Sequence, residues 1–229
     1  MKYDAVIFDF FGTLVPNFSL REHQDILRQM AAIVSAPAND FLRLWLDTFD
    51  RRATGTFPGP EANIEYICHE LGVPVEHIGV EQAARVRSSY TAQAITPRPE
   101  AIATLSCLKS SGYRTGIISD CSAELPAIFQ DTPFAPLVDV PVFSCVAGMR
   151  KPDRRIYQKA ATLLGVAPQA CLYVGDGSSQ ELTGASRVGM HAVLLCLPDE
   201  DGADEHRIDS EEWHGPTISS LTDVLRLVR

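Results

Sequence analysis

Four short stretches of this chain carry residue types that can do chemistry. The first is Val6-Ile7-Phe8-Asp9-Phe10-Phe11-Gly12-Thr13-Leu14, an apolar run interrupted by one carboxylate and followed by a Gly-Thr turn. It reads as a buried parallel strand that delivers Asp9 to its C-terminal end, where open α/β sheets bind ligands. The second, Gly116-Ile117-Ile118-Ser119-Asp120, ends another strand in a hydroxyl and an acid. Arg150-Lys151-Pro152-Asp153 is the third, and Tyr173-Val174-Gly175-Asp176, continuing to Glu181 and Gly184-Ala185, is the fourth. A carboxylate such as Asp9 can attack phosphorus to give an acyl phosphate, splitting one hard displacement into two easier ones. Lys151 can supply a fixed positive charge to the transferring oxygens, and Ser119 can hydrogen-bond them together with nearby N–H groups. In a parallel sheet the strands ending at Asp9 and Asp176 point the same way. Their carboxylates then converge on a hard-oxygen site suited to Mg²⁺.

Taken together and in this order, the four motifs resemble those of the haloacid dehalogenase (HAD) superfamily, over residues from about 5 to 196. Members of that superfamily mostly transfer phosphoryl groups through an aspartyl intermediate. The resemblance implies that Asp9 is the nucleophile, that Ser119 and Lys151 are its catalytic partners, and that Phe11, Gly12, Thr13 and Asp120 lie against the substrate. It implies Mg²⁺ at a site made by Asp9, Asp176, the backbone carbonyl of Phe11 and, in support, Glu181. Glu181 stands where relatives usually carry a second acid, which would order a metal-bound water or Lys151.

One position departs from the commonest pattern. HAD phosphatases usually carry Asp two residues after the nucleophile, as general acid and base, and here that residue is Phe11. Losing proton transfer typically costs ~10²–10⁴ in rate. A phosphatase built this way favours leaving groups that need no proton, such as acyl or aryl phosphates, takes its acid from the substrate or from the cap, where His23, His69 and His77 are candidates, or hydrolyses slowly. The 2-haloacid dehalogenases carry an aromatic at this position, need no metal, and use a cap arginine to hold the substrate carboxylate. Arg43, Arg51 and Arg52 are the candidates for that role, although each also reads as a solvated helix residue. Those enzymes lack an acid at the position of Asp176 and have Ser-Asn where this chain has Ser119-Asp120. Phosphonoacetaldehyde hydrolases require a cap lysine, and this chain has none between residues 16 and 98. The expected activity is Mg²⁺-dependent hydrolysis of a small phosphorylated metabolite. The alternatives are a metal-independent 2-haloacid dehalogenase and a catalytically weak binding or regulatory protein.

The elements that must position these residues follow from periodicity. After a first strand at residues 3–9, some eighty residues read as helices. Ser19 to Glu22 is a capping box opening a helix to about Val34. Asn39 or Asp40 can cap a second helix running through Trp45 and Phe49 into Arg51-Arg52. A third runs from Pro60 to Leu71 before Gly72, and a fourth from about Val80 to Ala94. The breaker Gly55-Thr56-Phe57-Pro58-Gly59 reads as a turn that can also reach the site. From Pro99 onward helix and strand alternate, giving a mostly parallel, doubly wound α/β sheet. The expected domains are a Rossmann-like α/β core at 1–15 and 97–229 and a helical cap at 16–96. By resemblance, the first strand is central, flanked by those ending at Ser119 and Asp176. Residues 198–212 carry eight acids and read as a solvated loop, and a closing amphipathic helix follows through Leu221 to Val228.

At 229 residues the chain can bury a full core. A net charge of −9 argues against a nucleic-acid backbone as partner. No apolar run approaches the ~20 residues of a membrane span. The start of the chain leads straight into a strand without a signal-peptide pattern. Six scattered cysteines read as small buried hydrophobes of a reducing compartment, so a cytoplasmic location is expected. Cys121, two residues after Ser119, reads as packing or as a reactive thiol. The expected partner is a small anionic molecule, and the oligomeric state is left open.

Overall fold

The computed structural model describes residues 2–197 and 211–229. Strand β1 (Ala5–Phe8) is followed by helices α1 (Leu20–Ile33), α2 (Ala38–Asp47), α3 (Phe49–Ala53), α4 (Pro60–Glu70), α5 (His77–Ala94) and α6 (Ala101–Ser110). Then come β2 (Arg114–Ser119), α7 (Glu124–Ile128), β3 (Val140–Phe143), α8 (Ser144–Ala147), α9 (Arg154–Leu164), β4 (Cys171–Gly175), α10 (Glu181–Arg187), β5 (His191–Leu195), β6 (Thr217–Ile218) and α11 (Val224–Leu227). The strands form one sheet in the order β3-β2-β1-β4-β5-β6. All five pairings are parallel.

Strand β1 is central, as expected, with Phe8 opposite Ile117 of β2 and Val174 of β4. All its residues are buried, which explains why it reads as an unbroken apolar run. Its side chains still alternate between faces. Val6 and Phe8 join a cluster with Leu105 and Leu108 of α6, while Ala5 and Ile7 join one with Ile156 and Tyr157 of α9. Truncating Phe8 to alanine in so dense a site costs about 3–5 kcal/mol.

A third apolar cluster lies entirely in the inserted helices and includes Leu27, Met30, Phe41, Trp45, Ile64, Ile67, Val80 and Ala84. It draws one stripe each from α1, α2, α4 and α5, at the helical spacing that predicted them. Ser19 caps α1 as expected, its Oγ accepting from the Glu22 N–H at 3.2 Å.

Several boundaries differ from expectation. Helix α2 begins at Ala38 after Pro37 and has no side-chain cap, so neither Asn39 nor Asp40 serves as one. The stretch expected to continue into Arg51-Arg52 breaks at Thr48, whose hydroxyl donates to the carbonyls of Leu44 and Trp45 and turns the chain into a separate α3. Helix α5 starts at His77, one turn before the apolar spacing begins. Strand β6 was not expected, because two residues are too few to show a period. Of the acid-rich stretch 198–212, only Glu211 and Glu212 lie among the described residues.

Candidate active site

The parallel register sets Asp9 just beyond the C-terminal end of β1, beside the end of β4, where Asp176 follows. Between them the chain turns through Gly12, whose φ of +88° is a left-handed conformation that glycine adopts without strain. A Cβ there would overlap the Asp176 carboxylate and the Asn17 amide. Gly175 plays a similar part, since a Cβ on it would overlap the Glu181 carboxylate. The glycines beside both acids are thus requirements of close packing.

Lys151 sits at the centre of the acids. Its Nζ donates to Asp9 Oδ1 at 2.5 Å and to Glu181 Oε2 at 2.6 Å. The Lys151 N–H donates to Asp120 Oδ1 at 3.0 Å, which ties the lysine's backbone to the end of β2. Glu181 also accepts from the Tyr173 hydroxyl at 2.8 Å and from the Gly177 N–H at 3.1 Å. Thr13 donates to Asp9 Oδ2 at 3.3 Å. Asp176 is held by the Asn17 amide at 2.9 Å and by the N–H and hydroxyl of Ser178, each at 3.0 Å.

Asp9, Asp120, Asp176, Glu181 and Lys151 are all buried or nearly so. Burial pushes Asp9 up to about 6, with the Lys151 ammonium pulling down and Asp176 pushing up. Burial and the neighbouring Asp9 carry Glu181 well above the usual carboxylate range. Burial opposes charge on Lys151, but Asp9, Glu181 and Asp120 outweigh it and hold the ammonium charged. Several carboxylates therefore share one lysine.

Oxygens of Asp9, Asp176 and Glu181 lie within 4.8 Å of one another and can hold a metal ion. The donor set is wholly hard oxygen, and the excess of carboxylate over ammonium favours a divalent cation. Glu181 spends its lone pairs on Lys151, Tyr173 and Gly177, whereas Asp9 and Asp176 have capacity left. No hydrogen bond among the described residues ends on the Phe11 carbonyl.

Above this floor lies a cavity of about 460 Å³. Asp9, Phe11, Ser119, Asp120, Lys151 and Arg52 all line it, so the structure brings most of the expected site residues together. Ser119 is buried and its Oγ has no hydrogen-bond partner among the described residues. Gly12, Thr13, Asp176 and Glu181 support the floor from behind. Phe11 stacks on Phe18 with centroids 4.7 Å apart, and Phe18 lies 5.4 Å from Tyr90. The position two residues after Asp9 is thus part of an aromatic wall.

The three candidate cap arginines separate. Arg52 is buried in the cavity wall, donating to the Trp45 carbonyl at 2.5 Å and to Thr48 Oγ1 at 2.8 Å. Arg51 lies away from the cavity lining, its guanidinium 4.1 Å from the Tyr66 ring and 4.6 Å from that of Phe57. Trp45, Thr48 and Arg52 share a helical face that Arg51 does not. Arg43 is an exposed partner of Asp40 and Asp47. Phe57 is accordingly committed to Arg51, and the Gly55–Gly59 turn contributes no lining residue. His23 lines the cavity, while His69 and His77 are exposed beside Glu70 and Glu81.

Sequence reasoning missed Arg87. It lies in the cavity wall, buried, with Nε donating to Glu124 Oε1 at 3.0 Å and Nη1 without a hydrogen-bond partner among the described residues. The attraction of Arg87 outweighs the effect of burial on Glu124 and holds that carboxyl below its usual range. Burial, and next the proximity of Arg87, push Arg52 down to about 9. The buried groups of this wall are therefore two guanidiniums and one carboxylate partner, while Asp47 and Asp50 line it from exposed positions. A signal was present: Val80, Ala83, Ala84, Arg87 and Thr91 fall on the buried face of α5. Arg150 was also missed as a bridge, pairing with Asp50 of α3 at 2.7 Å and with Asp120 at 3.7 Å.

Comparison with known proteins bears on this geometry. The family model for haloacid dehalogenase-like hydrolases matches residues 3–189. The chain belongs to that family. Phosphatase MT3486 of Mycobacterium tuberculosis (strain CDC 1551 / Oshkosh) is 29% identical over 85% of this chain and 88% of its own length. The (S)-2-haloacid dehalogenase 4A of Burkholderia cepacia is 28% identical over 83% and 82%. Two further curated relatives are matched over 35% and 49% of their own length. The solved 2-haloacid dehalogenase of Pseudomonas syringae pv. Tomato DC3000 superposes with a TM-score of 0.73 at 18% identity, covering 99% of this chain and 98% of that one, and shares the fold. No helix among the described residues is long and apolar enough to cross a membrane.

Proposed function

We propose that the protein hydrolyses a small phosphorylated molecule through an aspartyl phosphate at Asp9. The observation that carries this reading is the buried meeting of Asp9 and Asp176, with Lys151 donating to Asp9. In this reading Asp9, Asp176 and the Phe11 carbonyl hold Mg²⁺, and Glu181 orients Lys151. The metal, when bound, supplies positive charge for the phosphoryl oxygens and favours the ionised form of Asp9.

Asp9 Oδ2 attacks phosphorus as the bond from phosphorus to the leaving oxygen breaks, while Oδ1 remains on Lys151. Water then attacks the same phosphorus, the bond to Asp9 breaks, and phosphate leaves with the carboxylate restored. The Lys151 ammonium neutralises charge as it develops on the transferring oxygens, and the Ser119 hydroxyl donates to one of them. Phe11 offers no proton to the leaving group, so leaving groups that depart as stable anions are favoured. His23 is the cap histidine in the cavity wall and the candidate to protonate a poorer one. Arg52 and Arg87 carry more positive charge than Glu124 balances, and a buried uncompensated charge is costly. A second anionic group on the substrate, remote from phosphorus, would complete that wall.

A second reading has its own support. The Phe11–Phe18 stack lines the approach to Asp9 with apolar surface, which suits displacement of halide from a 2-haloacid whose carboxylate lies on the arginines. The two readings are separated by assaying an aryl phosphate and an acyl phosphate with Mg²⁺ and with chelator, alongside chloride release from a 2-chloroacid. Mg²⁺-dependent phosphate release that disappears in Asp9→Asn supports the first reading. Chloride release undiminished by chelator supports the second and overturns the first.

A further inference from the structure

We propose that Cys121 and Cys145 form an oxidisable dithiol pair at the catalytic face, closed to a disulfide by a peroxide and slowing the site when closed. Their Sγ atoms are 4.0 Å apart. The Ser144 hydroxyl holds the two segments together, accepting from the Cys121 N–H at 2.9 Å and donating to the Cys121 carbonyl at 3.3 Å. With the backbones clamped in this way, reaching the ~2.05 Å of a disulfide is a matter of side-chain rotation. Among the described residues, none of the other free cysteines has a thiol neighbour.

Both sulfurs are reachable. Cys121 lines the cavity, and Cys145 at the start of α8 is partly exposed. The hydrogen bond from Cys121 holds the Cys145 thiol below its usual range, while burial pushes Cys121 well above it. Cys145 is therefore the sulfur that reacts first as thiolate. Its sulfur attacks one peroxide oxygen and the O–O bond breaks, giving a sulfenic acid and, after proton uptake, water or an alcohol. The Cys121 sulfur then attacks the sulfenic sulfur, the S–O bond breaks, and a water leaves with the Cys121 proton. Two thiols are oxidised, one peroxide is reduced, and the disulfide remains.

The bond would act where cap and core meet. Cys121 stands between Ser119 and Glu124, the partner of Arg87. A Cβ on Gly55 of the cap would overlap the Cys145 carbonyl, so α8 is a seat for the turn after α3. Closing the bond turns the Cys121 side chain, itself part of the cavity lining beside Ser119 and Asp120, and misplacement of about 1 Å at such a site costs up to ~10² in rate. This slowing rests on the hydrolase reading; formation of the disulfide does not.

The test is to treat the full chain with hydrogen peroxide, alkylate with iodoacetamide and digest with trypsin. No lysine or arginine lies between Arg114 and Arg150, so both cysteines fall in one peptide. That peptide is expected unalkylated and two hydrogens lighter than the dithiol form. Cleavage at Glu124 should leave its halves joined until reduced. Cys145→Ser and Cys121→Ser should each abolish the product, and Cys196→Ser should preserve it. Recovery of both cysteines alkylated, or of Cys145 as sulfinic acid beside alkylated Cys121, overturns the pairing. Turnover of an aryl phosphate should fall about tenfold on oxidation, return with dithiothreitol, and resist peroxide in Cys145→Ser. A mapped disulfide with undiminished turnover overturns the slowing. If the untreated protein turns over neither phosphate nor haloacid, the hydrolase reading fails while the peptide result still decides the pairing.

Discussion

The floor and the cap-side wall of the cavity bury charge in opposite senses. On the floor, Asp9, Asp176 and Glu181 form one buried cluster in which Lys151 pairs with Asp9 and Glu181, and carboxylate is in excess. Across the cavity, Arg52 and Arg87 share Glu124, and guanidinium is in excess. Each surface alone is an expensive arrangement, because burial penalises unbalanced charge. A cation at the floor and an anionic substrate group at the wall would each remove one imbalance. The contrast separates roles: the floor holds what reacts, and the wall holds what is recognised.

The comparison can be broken most decisively at the floor. Asp9→Asn should abolish turnover, by at least about 10⁴-fold, while leaving the fold intact by circular dichroism. Residual activity near wild type would remove Asp9 from the chemistry. Phe11→Asp should accelerate hydrolysis of an alkyl phosphate by about 10²-fold or more, measured as kcat, because it restores a proton donor. No gain would show that proton transfer is not what limits the floor.

Changes at the wall should act on recognition. Arg87→Met combined with Glu124→Gln avoids stranding a buried carboxylate, which alone would cost about 3–5 kcal/mol. The double variant should raise KM about tenfold to a hundredfold for a substrate with a second anionic group, with kcat little changed. An equal effect on a substrate lacking that group would dissolve the distinction between the two surfaces.

Metal and pH give smaller effects that sharpen the same contrast. Mg²⁺ at a hundred times its Kd should stabilise the native state by about 2.7 kcal/mol. This corresponds to a rise in Tm of roughly 5–10 °C, and Asp176→Asn should suppress it. Without divalent cation, Asp9 has a folded value of about 6 against an ordinary 3.8. Between those values the native state binds more protons than the unfolded chain, so stability falls as pH rises through the window. Asp9→Asn should flatten that slope in a thermal-unfolding series.

The floor was legible in the sequence because its residues follow apolar strands directly. Asp9, Ser119 and Asp176 each end a run whose length and flanking glycines mark a buried parallel strand, and the fold class follows from the same runs. The wall was harder to read. Arg51 and Arg52 look equivalent as a pair, and only the turn of the helix decides that one meets Trp45 and the other Tyr66. Arg87 was passed over because arginine on a helix is normally solvated, although its spacing from Val80, Ala83 and Ala84 put it on the buried face. Glu211 read as part of a solvated acidic run. In the fold it accepts from the N–H groups of Leu182 and Thr183 at the start of α10, at 2.7 and 3.1 Å. A long-range cap of this kind leaves no local pattern.

The central place of β1 also has a consequence for the order of events in synthesis. Asp9 precedes Lys151 by 142 positions. At ~5–20 residues per second, roughly seven to thirty seconds separate their emergence from the ribosome. The neighbours of β1 in the sheet, β2 and β4, are made only after the inserted helices, which have an apolar cluster of their own to collapse on. The nascent chain therefore carries its most buried strand unpaired while the insertion forms. An early apolar strand in that state is a natural target for a chaperone that binds extended segments.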